Sequence, residues 1–217
     1  ENITNEYYQK YLSNYALSHN KDKSGIEINP CIELWDLYFK VMKSGYNLSY
    51  EKALSNIDAK IGKNEISDKI NQMLAASSRI RLNNTFPVLR LYDATKKLEN
   101  LDFSKSKYTL IDFWFADCSP CIKQFEYLKG IYSKYYLKGL RIIAISIDEE
   151  KDRYRLVETI HKNKYVWDNL WDIDAKNADI LNIHSYPKSF LIDSRGQIAG
   201  INLSISDLEK ILQKNLE

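Results

Sequence analysis

Two cysteines three positions apart, Cys118 and Cys121, are the residues of this 217-residue chain best placed to do chemistry. They lie in IDFWFADCSPCIKQF, residues 111–125. A Cys-x-x-Cys pair can trade a dithiol for a disulfide, and the attacking species is the thiolate. An unperturbed thiol, with a pKa of about 8.5, is mostly protonated at neutral pH, so the pair needs help. Its placement supplies that help. The β-branched and aromatic run from Tyr108 to Phe115 reads as a buried strand, and Cys118-Ser119-Pro120-Cys121 then opens a helix. At a helix N-terminus the unpaired backbone N–H groups and the positive end of the dipole favour a negative sulfur. Cys118, the outer residue, is the expected nucleophile. Cys121, one turn further in, is expected to resolve the mixed disulfide. Pro120 is tolerated in the first turn, where its missing N–H has no partner to lose.

Other uses of the pair lack supporting residues. Zinc would need two more ligands from His161, His184 or Cys31, and none stands at a paired spacing. Haem attachment needs His directly after the second Cys, where Ile122 stands. The reading therefore calls for no metal and no cofactor. Cys31, in a hydrophobic stretch, is expected to be a buried, inert thiol. His19, His161 and His184 read as surface or packing residues. Trp167 and Trp171 fit either the active-site face or the core.

The elements that position the motif alternate strand and helix. Phe125, Leu128, Tyr132 and Tyr135 mark a helix ending near Gly139. Arg141 to Ile147 is a second buried strand, and a helix is expected from about Asp152 to Lys162. Ser189 to Asp193 is a third strand, Ser194-Arg195-Gly196-Gln197 a hairpin turn into Ile198–Ile201, and Ser204 to Asn215 a closing helix. This β-α-β-α-β-β-α order implies a mixed sheet with helices on both faces, an α/β fold.

The chain before Arg81 has no strand alternation and reads as four helices. Tyr8, Tyr11, Leu12 and Tyr15 form one apolar stripe. Asn29-Pro30 is a start signal for Cys31–Ser44, which Gly45 is placed to end. Leu54, Ile57 and Ile61 form a third stripe, and Ile66, Ile70, Met73, Leu74 and Ser77 a fourth. The polar break Asn83-Asn84-Thr85-Phe86-Pro87 separates an all-α region, residues 1–84, from an α/β domain, residues 85–217.

Composition narrows the partners. Lys and Arg number 31 against 29 Asp and Glu, and a net charge of +2 gives no electrostatic footprint for nucleic acid. No apolar run approaches the ~20 residues of a membrane-spanning helix. The first residues, Glu-Asn-Ile-Thr-Asn-Glu, hold neither an initiator Met nor a secretory hydrophobic segment, which leaves upstream trimming and signal removal both open.

The segment from about Pro87 to Ile201 resembles the thioredoxin superfamily, and within it the TlpA/ResA-like branch. The resemblance rests on Ile-Asp-Phe-Trp before the cysteines, on Gly139-Leu140 before the strand RIIAISID, and on Tyr186-Pro187 leading into KSFLIDSRGQI. It implies a thioredoxin-like fold and thiol–disulfide exchange with protein disulfides or dithiols, served by an upstream thiol donor or acceptor. It also implies a bacterial periplasmic or extracytoplasmic, membrane-associated location, with room for a membrane tether outside these residues. Asp112, six residues before Cys118, matches the buried Asp of classical thioredoxin that moves the resolving thiol's proton, a position where many TlpA-like proteins have Asn. Tyr186 and Pro187 match the substrate-binding cis-proline strand.

Two departures are specific to this chain. Asp117 replaces the Trp that precedes the first Cys in thioredoxin, and a carboxylate there opposes a thiolate. Gln124 occupies the position of a Glu in the ResA-like branch and cannot titrate. Two other functions are compatible with the fold. A non-catalytic partner-binding module would not need the intact cysteine pair. A thiol peroxidase wants Thr or Ser three residues before the reactive Cys, where Phe115 stands.

Overall fold

The computed structural model describes residues 30–217. The Tyr8–Tyr15 stripe, His19 and the expected cap Asn29 lie outside the described residues. The chain divides into two compact units between Ser78 and Arg79.

In the first unit three helices follow one another: α1 (Pro30–Ser44), α2 (Leu48–Ile61) and α3 (Glu65–Ser77). Each begins or ends where a specific residue satisfies an orphan backbone group. The side chain of Asn47 accepts from the Ser49 amide at 2.9 Å, and that of Asn64 from Ile66 N at 3.0 Å. After α1 the chain turns at Gly45, whose φ of +77° only glycine adopts without strain. Leu34, Leu37 and Val41 of α1 meet Leu54, Ile57, Ile70, Met73 and Leu74 in one buried cluster.

Cys31 corrects the sequence expectation, because it is exposed. It precedes Leu34 by one turn, and the buried stripe of α1 starts only at Leu34, so Cys31 lies past the end of the packed face.

The second unit carries β1 (Leu91–Tyr92), β2 (Leu98–Glu99), β3 (Tyr108–Trp114), α4 (Ser119–Tyr135), β4 (Leu140–Ser146), α5 (Arg153–Asn163), β5 (Asp168–Trp171), α6 (Lys176–Ile180), β6 (Lys188–Asp193), β7 (Ile198–Ile201) and α7 (Ile205–Leu216). Seven strands form one sheet in the order β2-β1-β5-β4-β3-β6-β7. The central strand β3 runs parallel to β4 and antiparallel to β6. Alternation along β3 feeds two cores. Leu110 and Trp114 join Phe125 and Leu128 of α4 and Leu208 and Leu212 of α7. Ile111 and Phe113 join Leu181, Ile183, Phe190 and Ile192. Helices on both faces are thus required by a strand that is apolar on both sides.

Gly139 joins the end of the α4 segment to β4 with φ +110°. That φ disfavours any side chain, and a Cβ there would lie 3.0 Å from Lys107 Cγ, so the lysine would have to give way.

Within residues 30–217 the strands and helices expected from the sequence are present in the expected mixed-sheet arrangement. Strands β1, β2 and β5 and the short α6 are additional.

Candidate active site

The cysteine turn sits where β3 ends. The Cys118 amide donates to Phe115 O at 3.0 Å and the Ile122 amide to Cys118 O at 3.0 Å, so Cys118 is the N-cap of α4. The Cys121 amide points back at Cys118 Sγ, 3.2 Å away. That orphan helix N–H is the group that stabilises negative charge on the outer sulfur. The two cysteines form a disulfide across the turn, with their Cα atoms 5.3 Å apart. Cys118 is 3% exposed and Cys121 fully buried. Both pack into the same core as Trp114, Phe125, Trp167 and Trp171. Trp167 and Trp171 are therefore core residues that also back the redox turn.

Asp112 lies on the same side of β3 as Leu110 and Trp114, flanked in register by Ala144 of β4 and Ser189 of β6. It is completely buried. Burial alone pushes its carboxyl well above the usual carboxylate range. One oxygen, Oδ2, accepts from Gln124 Nε2 at 2.9 Å, and the other, Oδ1, is buried without a partner among the described residues. A carboxyl of this kind can take a proton near neutrality.

Tyr186-Pro187 is a cis peptide. The Tyr186 ring meets the Phe115 ring edge-on at 5.8 Å between centroids, and its hydroxyl donates to Ile183 O at 2.8 Å. Pro187 and Pro120 line one groove of ≈ 410 Å³ together with Gln124, Tyr127, Asn202 and Leu203. The groove runs beside the cysteine turn, and Pro187 is thereby brought to it.

Asp117 is exposed and faces Arg155, whose Nη1 lies 3.3 Å from Oδ2. The negative charge beside Cys118 is thus partly offset by a cation and by water, which weakens the opposition expected from the sequence. His161 and His184 are both exposed, and His184 faces Asp179 at 3.8 Å. Among the described residues no cluster of His, Cys, Asp and Glu could hold a metal ion.

Sequence reasoning missed Asp148, which follows β4. Its carboxylate accepts the amide of Ala116 at 3.1 and 3.2 Å and the Ser146 hydroxyl at 2.6 Å. The Trp171 indole in turn donates to Asp148 O at 2.8 Å. Asp148 therefore fixes the bend between β3 and the cysteines. Burial raises its carboxyl pKa, against the hydrogen bonds from Ser146 and Ala116.

Known proteins resemble this domain in sequence and fold. The AhpC/TSA family matches residues 82–201, more than half of the chain, and the chain belongs to that family. It is 26% identical over 132 residues to the thiol-disulfide oxidoreductase ResA of Bacillus subtilis, a match covering 60% of this chain and 72% of that one. It is 34% identical over 106 residues to ResA of Bacillus thuringiensis subsp. konkukian, covering 48% of this chain and 58% of that protein. Among solved structures, the thioredoxin domain of a thiol-disulfide oxidoreductase from Bacteroides vulgatus superimposes with a TM-score of 0.56 at 26% identity, covering 63% of this chain and 99% of that one. A thiol:disulfide interchange protein from Bacteroides sp. does so with a TM-score of 0.55 at 28% identity, covering 63% and 90%. The fold is thioredoxin-like, and the relatives are thiol–disulfide oxidoreductases.

Proposed function

We propose that this member of the AhpC/TSA family is a thiol–disulfide oxidoreductase that works through Cys118 and Cys121. The observation that carries the reading is the Cys118 sulfur seated as the N-cap of α4, 3.2 Å from the Cys121 amide and in one core with Cys121. In the reducing direction the Cys118 thiolate attacks a substrate disulfide, one substrate sulfur leaves as thiolate, and a mixed disulfide forms. The Cys121 thiol then gives its proton to Asp112, attacks Cys118 Sγ and expels the second substrate thiolate. The products are a substrate dithiol and the Cys118–Cys121 disulfide, which an upstream thiol donor reduces again.

The substrates are protein disulfides, and the chain beside the groove at Tyr186 and Pro187 is where an extended substrate segment pairs. We assign the protein to the bacterial cell envelope, on the strength of its likeness to ResA, with a reductase role. Among the described residues no helix is long and apolar enough to cross a membrane. Phe115, three residues before Cys118, favours disulfide exchange over peroxide reduction within the family.

The test is an insulin-reduction assay with the Cys118→Ser and Cys121→Ser variants, joined to an equilibrium titration against glutathione. Activity lost in both variants and a potential near about −270 mV fit a reductase; one near about −120 mV would make it an oxidase. Activity retained without Cys118 rejects the reading.

A further inference from the structure

Gln124 touches two different environments. Its side chain lines the ≈ 410 Å³ groove beside the redox turn, together with Pro120, Tyr127 and Pro187. On its other side its amide nitrogen donates to Oδ2 of the fully buried Asp112 at 2.9 Å. Ala144 and Ser189 flank Asp112 in register on the neighbouring strands, Ser189 also lining the groove, and the apolar core lies beneath. Oδ1 has no hydrogen-bond partner among the described residues. A group that must exchange a proton is therefore separated from the groove by the side chains of Gln124 and Ser189, and Gln124 is the one bonded to its carboxyl.

We propose that Gln124 is a positioning residue that gates proton exchange between Asp112 and the groove: its amide clamps Oδ2 and closes the carboxyl off, and its rotation into the groove admits water. The proposal rests on Asp112 being the group that receives the Cys121 proton. In that step the Cys121 S–H bond breaks and the proton passes to Asp112. With the gate open, the same proton passes to groove water, and Asp112 is reset as a carboxylate. A non-titrating amide suits the gate. It donates to the carboxylate without competing for the proton, which a second carboxyl in that place would do.

The charged groups nearby do not supply an alternative route. Lys123, on the outward side of α4, lines the rim of the groove. Lys188, beside Ser189 on β6, alternates to the other face of the sheet, where its ammonium lies 5.7 Å from the centre of the Phe190 ring. On the Asp112 side of the sheet α4 brings the cysteines and, three turns or more beyond Cys121, Tyr132 and Tyr135, while Tyr165 joins the same core from outside the helix.

The experiment follows the titration of Asp112 directly, by the carboxyl carbon NMR shift against pH in the reduced full chain, for the wild type, Gln124→Met and Gln124→Ala. Methionine keeps the groove closed but removes the donor that favours the charged form. The Asp112 midpoint is then expected to rise by about one pH unit, a tenfold change in proton affinity, as befits loss of a hydrogen bond to a charged group. Alanine opens the wall to water, and the midpoint is expected to fall toward the ordinary carboxylate range. Midpoints unmoved in both variants, or moved in the same direction, overturn the proposal.

A second measurement follows the resolution of a pre-formed mixed disulfide at Cys118 across pH, in these variants and in the Asp112→Asn background. The effect of Gln124→Met on that profile should vanish when Asp112 is Asn; an undiminished effect also overturns the gate. If Asp112→Asn alone leaves the profile unchanged, the role assigned to Asp112 fails, while the carboxyl titration still decides whether Gln124 controls its proton.

Discussion

The carboxylate of Asp148 accepts the backbone amide of Ala116 through both oxygens, at 3.2 and 3.1 Å, although the residues are 32 positions apart. The contact follows from the parallel pairing of β3 and β4, which puts Trp114 opposite Ser146 and so brings the two strand ends together. The β3 end leads to Cys118, and the β4 end supplies the acceptor.

Asp148→Ala should therefore leave the Ala116 amide and the Ser146 hydroxyl without their shared acceptor. The expected loss is about 1–3 kcal/mol of stability, the cost of stranding a part-buried donor. Disulfide exchange at Cys118 should slow as well, because the bend before it is no longer fixed. Urea denaturation and stopped-flow reduction check the two effects. Full stability with a normal rate would show that solvent replaces the carboxylate at no cost.

Asp112→Asn should change the pH dependence of stability in a defined direction. The native carboxyl of Asp112 is raised well above its ordinary value by burial. A group with a raised folded-state pKa contributes stability that is fully present below the unfolded pKa of about 3.9 and is lost as pH rises through the folded value. The charged form is thus a burden at neutral pH that asparagine lacks. The variant should be more stable than the wild type at pH 8, by about 1.4 kcal/mol for each unit of the shift. The advantage should shrink toward acid pH, where both side chains are neutral. Thermal melts of the two proteins at pH 4 and pH 8 measure it, and an advantage independent of pH would refute the assignment.

Much of this site is legible in the sequence, for identifiable reasons. The cysteine pair stands out because three residues, a helix start and a preceding apolar strand are all local features. The long strands β3, β4 and β6 are apolar on both faces and hence visible, whereas β5 is four residues beginning Asp168-Asn169, types that disfavour strands. It is a strand because β4 on one side supplies its partner. The two-residue strands β1 and β2 likewise exist only through pairing. The Asp148–Ala116 and Gln124–Asp112 contacts depend on register and helix docking, which no local pattern encodes. The exposure of Cys31 is hidden from the sequence because periodicity shows a face but not where along the helix its packing stops.

The exposed Asp117–Arg155 pair should matter only at low ionic strength. Asp117→Asn removes a negative charge beside Cys118, which should speed alkylation of the reduced thiol about twofold in dilute buffer. Arg155→Ala should slow it by a similar factor. Both effects should fade by about 1 M salt, where the screening length is about 3 Å. Iodoacetamide labelling rates across a salt series decide the point, and salt-independent effects would mean that the pair acts on the shape of the turn and not through charge.

Phe125 and Tyr127 sit two positions apart on α4 and face opposite ways, so their truncations should separate stability from substrate capture. Phe125 is fully buried, with its ring 5.1 Å from that of Trp114, 5.0 Å from Tyr165 and 5.4 Å from Trp167. Removing it leaves a cavity beneath the helix that carries Cys118, and Phe125→Ala should cost about 3–5 kcal/mol. Tyr127 is 57% exposed and lines the groove next to Gln124. Tyr127→Ala removes no core contact and should change stability by less than about 0.5 kcal/mol. It does remove an aromatic wall from the surface proposed to receive the substrate segment, so KM for a protein disulfide should rise while kcat holds. Denaturation midpoints and steady-state reduction of a protein disulfide give both readings for both variants. An unchanged KM in Tyr127→Ala, with Phe125→Ala behaving as expected, would place the substrate outside this groove while leaving the fold and the redox turn as described.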